Sequence, residues 1–227
     1  MSTRGAQMAS NIEAALDKAL AVPATRVSDR VARMRAEHPW ATTAELEEMA
    51  ARRFRRDAGL TSGAVGASAA LPAVGTGAAT ALTVGQTGVF LAAAVTYVLT
   101  VAELHGLRVV DPERRRALVL SALLGQQGAE AIQGQLGLST LFWAAQMLAQ
   151  MPLPTVRSVN TQLAKRLAKR HAAKAGALAL GRLLPFGIGA VIGWSGGRAL
   201  ANQVIEGTTA ALGPAKLLEE TPEVITV

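Results

Sequence analysis

Three residues, Glu103, His105 and Glu130, are of the types that acid–base catalysis or metal binding needs. Glu103 and His105 lie two residues apart, and Glu130 follows later in the chain. A carboxylate beside an imidazole can transfer a proton, or bind a metal when a third ligand folds nearby. The chain lacks the HExxH spacing of zinc enzymes, so we expect capping or ion-pair roles. An enzyme that uses Glu103, His105 and Glu130 is an alternative.

The serine and glycine motifs give neither a nucleophile nor a phosphate site. Ser195 lies in the stretch Gly193-Trp-Ser-Gly-Gly197, where we expect a glycine-rich helix and not the strand–turn–helix of a hydrolase elbow. The GxxG pairs at 63–66 and 85–88 lack the Lys-Ser/Thr of a phosphate-binding loop. With no cysteine, thiolate chemistry is excluded as well. The sequence favours a non-enzymatic protein and predicts no catalytic residue, metal or cofactor.

The strongest pattern is a basic amphipathic helix in the last third of the chain. Leu163, Leu167 and Ala168 recur at helical spacing. Basic residues cover the other faces: Lys165, Arg166, Lys169, Arg170 and Lys174. Residues 131–205 contain eight basic residues and no acidic one. On an anionic lipid surface, five bases would contribute about 5 kcal/mol.

The net charge of +7 indicates an anionic partner. Nucleic acid would use the same bases on its phosphates. However, no aromatic residues are interleaved with them for base stacking, and no nucleic-acid-binding motif is present. We therefore predict anionic membrane lipids as the partner and argue against nucleic acid. A helix face that contacts only water is the other interpretation.

Three glycines, Gly189, Gly193 and Gly197, are spaced four apart, with Ala201 next. On a helix they form one strip, which allows another backbone to approach closely. We predict that this strip packs against a helix. It would serve a soluble bundle, a membrane bundle or a homo-oligomer equally well.

A block of 45 residues, 58–102, contains no charge. Of these residues, 29 are Ala, Gly, Ser or Thr, which contribute little apolar area for insertion into lipid. We expect a turn at 71–77, because the stretch Leu71-Pro-Ala-Val-Gly-Thr-Gly77 breaks a helix. Basic residues on both flanks favour a hairpin that returns to its own side of a membrane. The block is thus predicted to be a shallow or re-entrant hairpin, or a hairpin buried in a soluble bundle.

Ala and Leu dominate the apolar residues, and alternating strand patterns are rare. The predicted fold is all-α, a single helical bundle around a central apolar Ala/Gly-rich hairpin. We divide the chain into N-terminal amphipathic helices (1–57), a helical core (58–213) and a C-terminal tail (214–227). Thr42 and Glu45 have the spacing of a capping box, and Asp111-Pro112 is a typical helix start.

Four stretches in order carry a resemblance to a known family. They are Arg52-Arg-Phe-Arg-Arg-Asp-Ala-Gly59 through the turn at 71–77, Ala102-Glu-Leu-His-Gly106, Asp111-Pro-Glu-Arg-Arg-Arg116, and Gly181-Arg-Leu-Leu-Pro-Phe-Gly-Ile-Gly-Ala-Val-Ile-Gly193. Together they cover roughly residues 45–210, and the pattern resembles the EcsC family of bacterial proteins. Where that family usually has Asn followed by aromatics, this chain has Trp194-Ser-Gly-Gly197.

The resemblance implies a helical, membrane-associated bacterial protein and supplies no catalytic residues. The family takes its name from an operon that encodes an ABC transporter. The first apolar run is interrupted by Glu13, Asp17 and Lys18, unlike a secretory signal. We therefore expect a protein on the cytoplasmic face of the cell membrane, or in the cytoplasm, attached by the basic helix and shallow apolar insertion. The alternative to attachment is a soluble bundle that carries a lipid or another hydrophobic ligand.

Overall fold

The structure is a computed structural model that describes residues 3–69, 76–125, 128, 132, 144, 151–181, 188–215 and 225–226. The described elements are α1 (Thr3–Leu20), α2 (Ala24–Glu37), α3 (Thr43–Ala69), α4 (Thr76–Leu104), β1 (Leu107–Arg108), α5 (Pro112–Leu124), α6 (Leu153–Gly181), α7 (Ile188–Leu212) and β2 (Ile225–Thr226). The all-α prediction is confirmed for this part of the chain, in which the strands are only a two-residue parallel pair.

Helix α4 forms the centre of the bundle. It packs against α1, α2, α3, α5 and α7, and Val95, Val98 and Val101 are fully buried. On α3, the ring of Phe54 lies 5.0 Å from the Tyr97 ring and 5.8 Å from that of Phe90, centroid to centroid. Helix α4, which has no charged residue before Glu103 in its last turn, is therefore the core helix of the described fold.

Local chemistry explains where the helices begin and end. The Thr42 backbone N–H donates to Glu45 Oε2 (2.8 Å), and the Glu45 N–H donates to Thr42 Oγ1 (3.3 Å). This confirms the capping box that begins α3, and it lowers the pKa of Glu45. Asp111 Oδ1 accepts from the Arg114 N–H (2.9 Å), which confirms the cap of α5. Gly106 follows α4 with a φ of 76°, a conformation that favours glycine.

Helices α3, α4 and α7 bring their uncharged segments to one end of the bundle. Arg55 of α3 donates to Asn202 of α7 (2.9 Å), whereas Gly59 lies against Trp194, so α3 and α7 are antiparallel. Glu47, near the start of α3, contacts His105 just after α4, while Phe54 contacts the middle of α4. We call residues 58–69, 76–90 and 188–197 the uncharged end.

One described stretch, Thr87–Leu104, is long and apolar enough to cross a membrane, with a mean hydropathy of 1.7. About half of it (56%) is buried inside the bundle. The core helix of a soluble protein meets the same criteria. This stretch is therefore weak evidence for a membrane span.

Two residues of the predicted tail pair with the loop after α4. Leu107 lies opposite Ile225, and Arg108 lies opposite Thr226. Ala215, just after α7, is buried. The predicted domain boundaries stay predictions.

Candidate functional site

Helix α6 has one apolar face, and the domain itself covers that face. Val156, Val159, Leu163 and Leu167 are buried at spacings of three and four residues, which is one side of a helix. α6 packs against α5, so these side chains belong to the core. The apolar side of this amphipathic helix is therefore not open to lipid in the described structure.

The opposite side of α6 is exposed and basic. Lys165, Arg166 and Lys169 are exposed, and within the described residues none of them has an acidic partner within 4.0 Å. We call these three residues the basic face. Lys165 and Lys169 are one turn apart, so their like charges repel each other. The side chains of Arg170 and Lys174, also predicted to bind lipid, lie outside the described part of the structure.

The arginines of α3 differ because they have acidic neighbours. Arg52 lies 3.8 Å from Glu48, Arg53 lies 3.8 Å from Asp57, and Arg56 lies 3.4 Å from the same Asp57. These pairs are exposed, so each adds only a fraction of a kcal/mol to stability. They nevertheless balance the local charge of this helix.

Glu103 and His105 bind different partners in the structure. Glu103 Oε1 accepts hydrogen bonds from Ser28 Oγ (2.9 Å) and from Nε and Nη2 of Arg108 (3.0 and 2.8 Å). Hydrogen bonding to Glu103 raises the pKa of Arg108. His105 is buried, with Nε2 3.3 Å from Glu47 Oε2. Glu103, in the last turn of α4, thus links α2 to Arg108 of β1, and His105, just after α4, contacts α3.

The remaining elements of the catalytic alternative are only partly described. Glu130 lies outside the described residues. In the part of the chain that is described, no three His, Cys, Asp or Glu side chains are grouped so that they could hold a metal ion. Ser195 is part of α7 and so lies within a helix.

Gly197 lies at a close contact between α3 and α7. A Cβ added there would collide with the backbone oxygen of Ala58 and with the side chain of Ser62. Ala201, one turn further along α7, is fully buried. The surroundings of Gly189 and Gly193 lie outside the described part of the structure.

An open cleft of about 940 Å³ lies between the end of α1, the start of α5 and the first half of α6. Its apolar walls are formed by Leu20, Ala21, Val22, Pro23, Ala24, Val110, Pro112, Ala164 and Ala168. Its charged side chains are Glu13, Asp17, Glu113, Arg115, Arg116, Arg157 and Lys165. Lys165 therefore belongs both to the basic face and to the cleft.

Arg115 is a buried cation in the wall of this cleft. Its Nε and Nη2 donate to the Val109 carbonyl (3.3 and 3.0 Å), and Nη1 donates to the carbonyls of Leu20 (3.1 Å) and Val22. Burial lowers its pKa. No carboxylate lies within 4.0 Å of it among the described residues, so its charge is held by neutral oxygens alone.

Asn160 is a buried polar residue on the apolar side of α6. Its Nδ2 donates to the backbone oxygen of Glu113 (2.9 Å) and to Glu113 Oε2 (2.8 Å). Its Oδ1 has no partner among the described residues. Arg157 Nε lies 3.4 Å from the other carboxylate oxygen, Glu113 Oε1. Asn160 and Arg157 thus hold the Glu113 carboxylate in the wall of the cleft.

Sequence reasoning missed the cleft, although one signal was present. An asparagine at position 160 interrupts the apolar series 156, 159, 163 and 167. A polar residue on a core face usually has a structural partner, and here that partner is Glu113 of α5. No comparable signal distinguishes Arg115 from the neighbouring Arg114 and Arg116.

Comparisons with protein-family models, with curated proteins and with solved structures gave no match for this chain. The resemblance to the EcsC family therefore stays a prediction, which depends on the four stretches quoted above.

Proposed function

We propose that this protein is a non-enzymatic membrane-associated protein that binds anionic bilayers through the basic face of α6. One observation carries the proposal. Lys165, Arg166 and Lys169 are exposed and have no acidic partner among the described residues, while the apolar side of the same helix is buried in the core. A rigid helix thus presents a fixed cluster of uncompensated positive charge.

Lipid phosphates would relieve the repulsion within this cluster. Each Lys or Arg near an anionic surface contributes about 1 kcal/mol, so the three residues contribute about 3 kcal/mol together. Because these side chains are exposed, the attraction falls as salt is added. Attachment of this kind is reversible and needs no membrane-spanning helix.

The uncharged end supports shallow insertion as a second contact. Leu60, Val89 and Trp194 are large apolar residues that are exposed there. Residues 58–69 form 12 residues of α3, about 18 Å of helix, against a hydrocarbon core of about 30 Å. Arg198 lies 4.7 Å from the centre of the Trp194 ring, and an aromatic ring beside a cation suits the lipid headgroup region. Partial insertion therefore fits better than a full span.

The cytoplasmic face of a bacterial cell membrane is the location that this function and the resemblance to the EcsC family both favour. Its anionic lipids attract basic protein surfaces. We propose these lipids as the partner. The glycine strip was also compatible with a homo-oligomer. At Gly197, however, the close contact is between α3 and α7 of the same chain.

The test compares the protein with the variant Lys165→Gln/Arg166→Gln/Lys169→Gln. Binding is measured by co-sedimentation with vesicles of phosphatidylcholine alone and of phosphatidylcholine with phosphatidylglycerol. We expect the native protein to prefer the anionic vesicles. The variant should bind them about a hundredfold more weakly, which is the effect of about 3 kcal/mol. A high-salt wash should release the electrostatically bound protein and leave any inserted fraction.

The matched control is Arg52→Gln/Arg53→Gln/Arg56→Gln, which removes the same number of exposed charges from α3. If attachment depended on net charge alone, both variants would lose binding equally. Unchanged binding of the α6 variant to anionic vesicles at physiological salt would refute the proposal.

A further inference from the structure

We infer that the cleft between α1, α5 and α6 binds one monoanionic amphiphile, with its acyl chain on the apolar walls and its headgroup near Lys165. This goes beyond attachment to a bilayer, because the ligand is a single molecule in a defined site. The shared chemistry is one negative charge on a hydrocarbon chain. A fatty-acid carboxylate and a phosphodiester lipid both provide it.

The charges of the cleft favour an anion with one negative charge. Four bases and three acids line it. Arg116 pairs with Asp17, and Arg157 pairs with Glu113. Arg115, Lys165 and Glu13 are left, which gives one net positive charge. A monoanion would neutralise the cleft, whereas a dianion would leave it with one net negative charge.

Arg115 strengthens this preference because its charge is buried among neutral carbonyls. A buried cation is costly unless an anion compensates it. The low local dielectric also extends its attraction further than that of an exposed lysine. An anionic headgroup in the cleft would supply the missing compensation without displacing the three carbonyl partners.

The size and walls of the cleft suit a hydrocarbon chain. Ligand pockets commonly measure about 300–1,000 Å³ and are largely apolar with a few polar groups, and this cleft lies near the upper limit. The turn between α1 and α2 forms one apolar wall, and Ala164 and Ala168 of α6 form the opposite one. Small alanine side chains on α6 leave the space that a chain would fill.

The experiment measures binding of monomeric lyso-phosphatidylglycerol, lyso-phosphatidylcholine with the same acyl chain, and oleate by isothermal titration calorimetry. We expect one molecule per protein, with lyso-phosphatidylglycerol binding at least about fivefold more tightly than the zwitterionic lipid. Tight binding of oleate as well assigns the preference to any monoanionic headgroup, and its absence assigns it to the phosphodiester. Equal affinity for the two lyso-lipids would overturn the inference.

Two matched pairs of variants separate the cleft from the basic face. Ala168→Phe should fill the cleft and weaken both lyso-lipids more than about tenfold, whereas Ala32→Phe on the exposed side of α2 should change nothing. Lys165→Gln should remove most of the headgroup preference, whereas Lys169→Gln, one turn away and outside the cleft, should keep it.

The same lysine variants distinguish this inference from the proposed function. Vesicle binding should fall equally for Lys165→Gln and Lys169→Gln, because both belong to the basic face. If the two variants have equal effects on the monomeric lipids too, or if Ala168→Phe binds normally, the cleft is not the site. Vesicle binding that is unaffected by either variant would instead contradict the proposed function alone.

Discussion

Helices α3 and α6 both expose clusters of basic side chains, but the arginines of α3 have acidic neighbours, whereas the basic face of α6 (Lys165, Arg166 and Lys169) has none among the described residues. Glu48 and Asp57 lie within 4.0 Å of the arginines of α3. On α6, the apolar side is buried, and the cations opposite it have no acidic partner among the described residues. A cluster of basic residues therefore indicates a binding surface only where the fold leaves its charge uncompensated.

The comparison also shows that the two sides of α6 have different roles. Its apolar residues stabilise the domain, and its basic residues remain available for a partner. An amphipathic peptide on a membrane uses both sides for lipid. In this protein the apolar contact with lipid would have to come from the uncharged end of α3, α4 and α7.

The largest expected effect on the free energy of unfolding comes from comparing a substitution on the buried apolar side of α6 with one on its basic face. Leu163 is only 1% exposed, so Leu163→Ala should lower the free energy of unfolding by about 2–5 kcal/mol, through lost burial and the cavity left behind. Lys165→Gln should change it by less than about 0.5 kcal/mol. Urea denaturation measures both. A stable Leu163→Ala variant would mean that the apolar side of α6 is free to leave the core.

A smaller effect is expected at the contact that holds α3 against α7. Gly197→Ala should lower the free energy of unfolding by about 1–3 kcal/mol, because the new methyl group meets the backbone of α3. Gly196→Ala is the control, since a Cβ there meets nothing within 4 Å, and it should stabilise the helix by about 0.5–1 kcal/mol. Equal effects in thermal or urea denaturation would contradict the close packing of these two helices.

The smallest expected effect is on stability: removing the exposed arginines of α3 and removing the basic face of α6 should change the free energy of unfolding in opposite directions. Removing Arg52, Arg53 and Arg56 breaks exposed ion pairs and should lower stability by a few tenths of a kcal/mol. Removing Lys165, Arg166 and Lys169 relieves repulsion and should raise it by about the same amount. Both effects should shrink in high salt. Shifts of the same sign at low salt would show that the basic face has acidic partners after all.

Features of the fold that depend on neighbours in sequence were predicted well. The start of α3 at Thr42–Glu45 and that of α5 at Asp111 follow from capping hydrogen bonds that span only three residues. The two sides of α6 follow from the helical period. The turn predicted at 71–77 lies mostly outside the described residues, and its last two residues, Thr76 and Gly77, already belong to α4.

Features that depend on distant contacts were not predictable. Arg114, Arg115 and Arg116 look alike in sequence, yet only Arg115 is buried. Two of its carbonyl partners, Leu20 and Val22, lie more than 90 residues earlier in the chain, so the local sequence could not reveal this burial. The cleft likewise forms only when α1, α5 and α6 come together. The sequence indicated ion-pair roles for Glu103 and His105, but not their partners, which are Ser28 and Arg108 for Glu103 and Glu47 for His105.

The most direct test of the central claim is binding to phosphatidylglycerol-containing vesicles, with the α3 and α6 triple variants in one assay. Both variants have the same net charge, because each loses three of the basic residues that give the chain +7. The uncompensated charge of α6 predicts a loss of about a hundredfold for its variant and a loss of less than about fivefold for the α3 variant. Equal losses, or a larger loss for α3, would contradict the account.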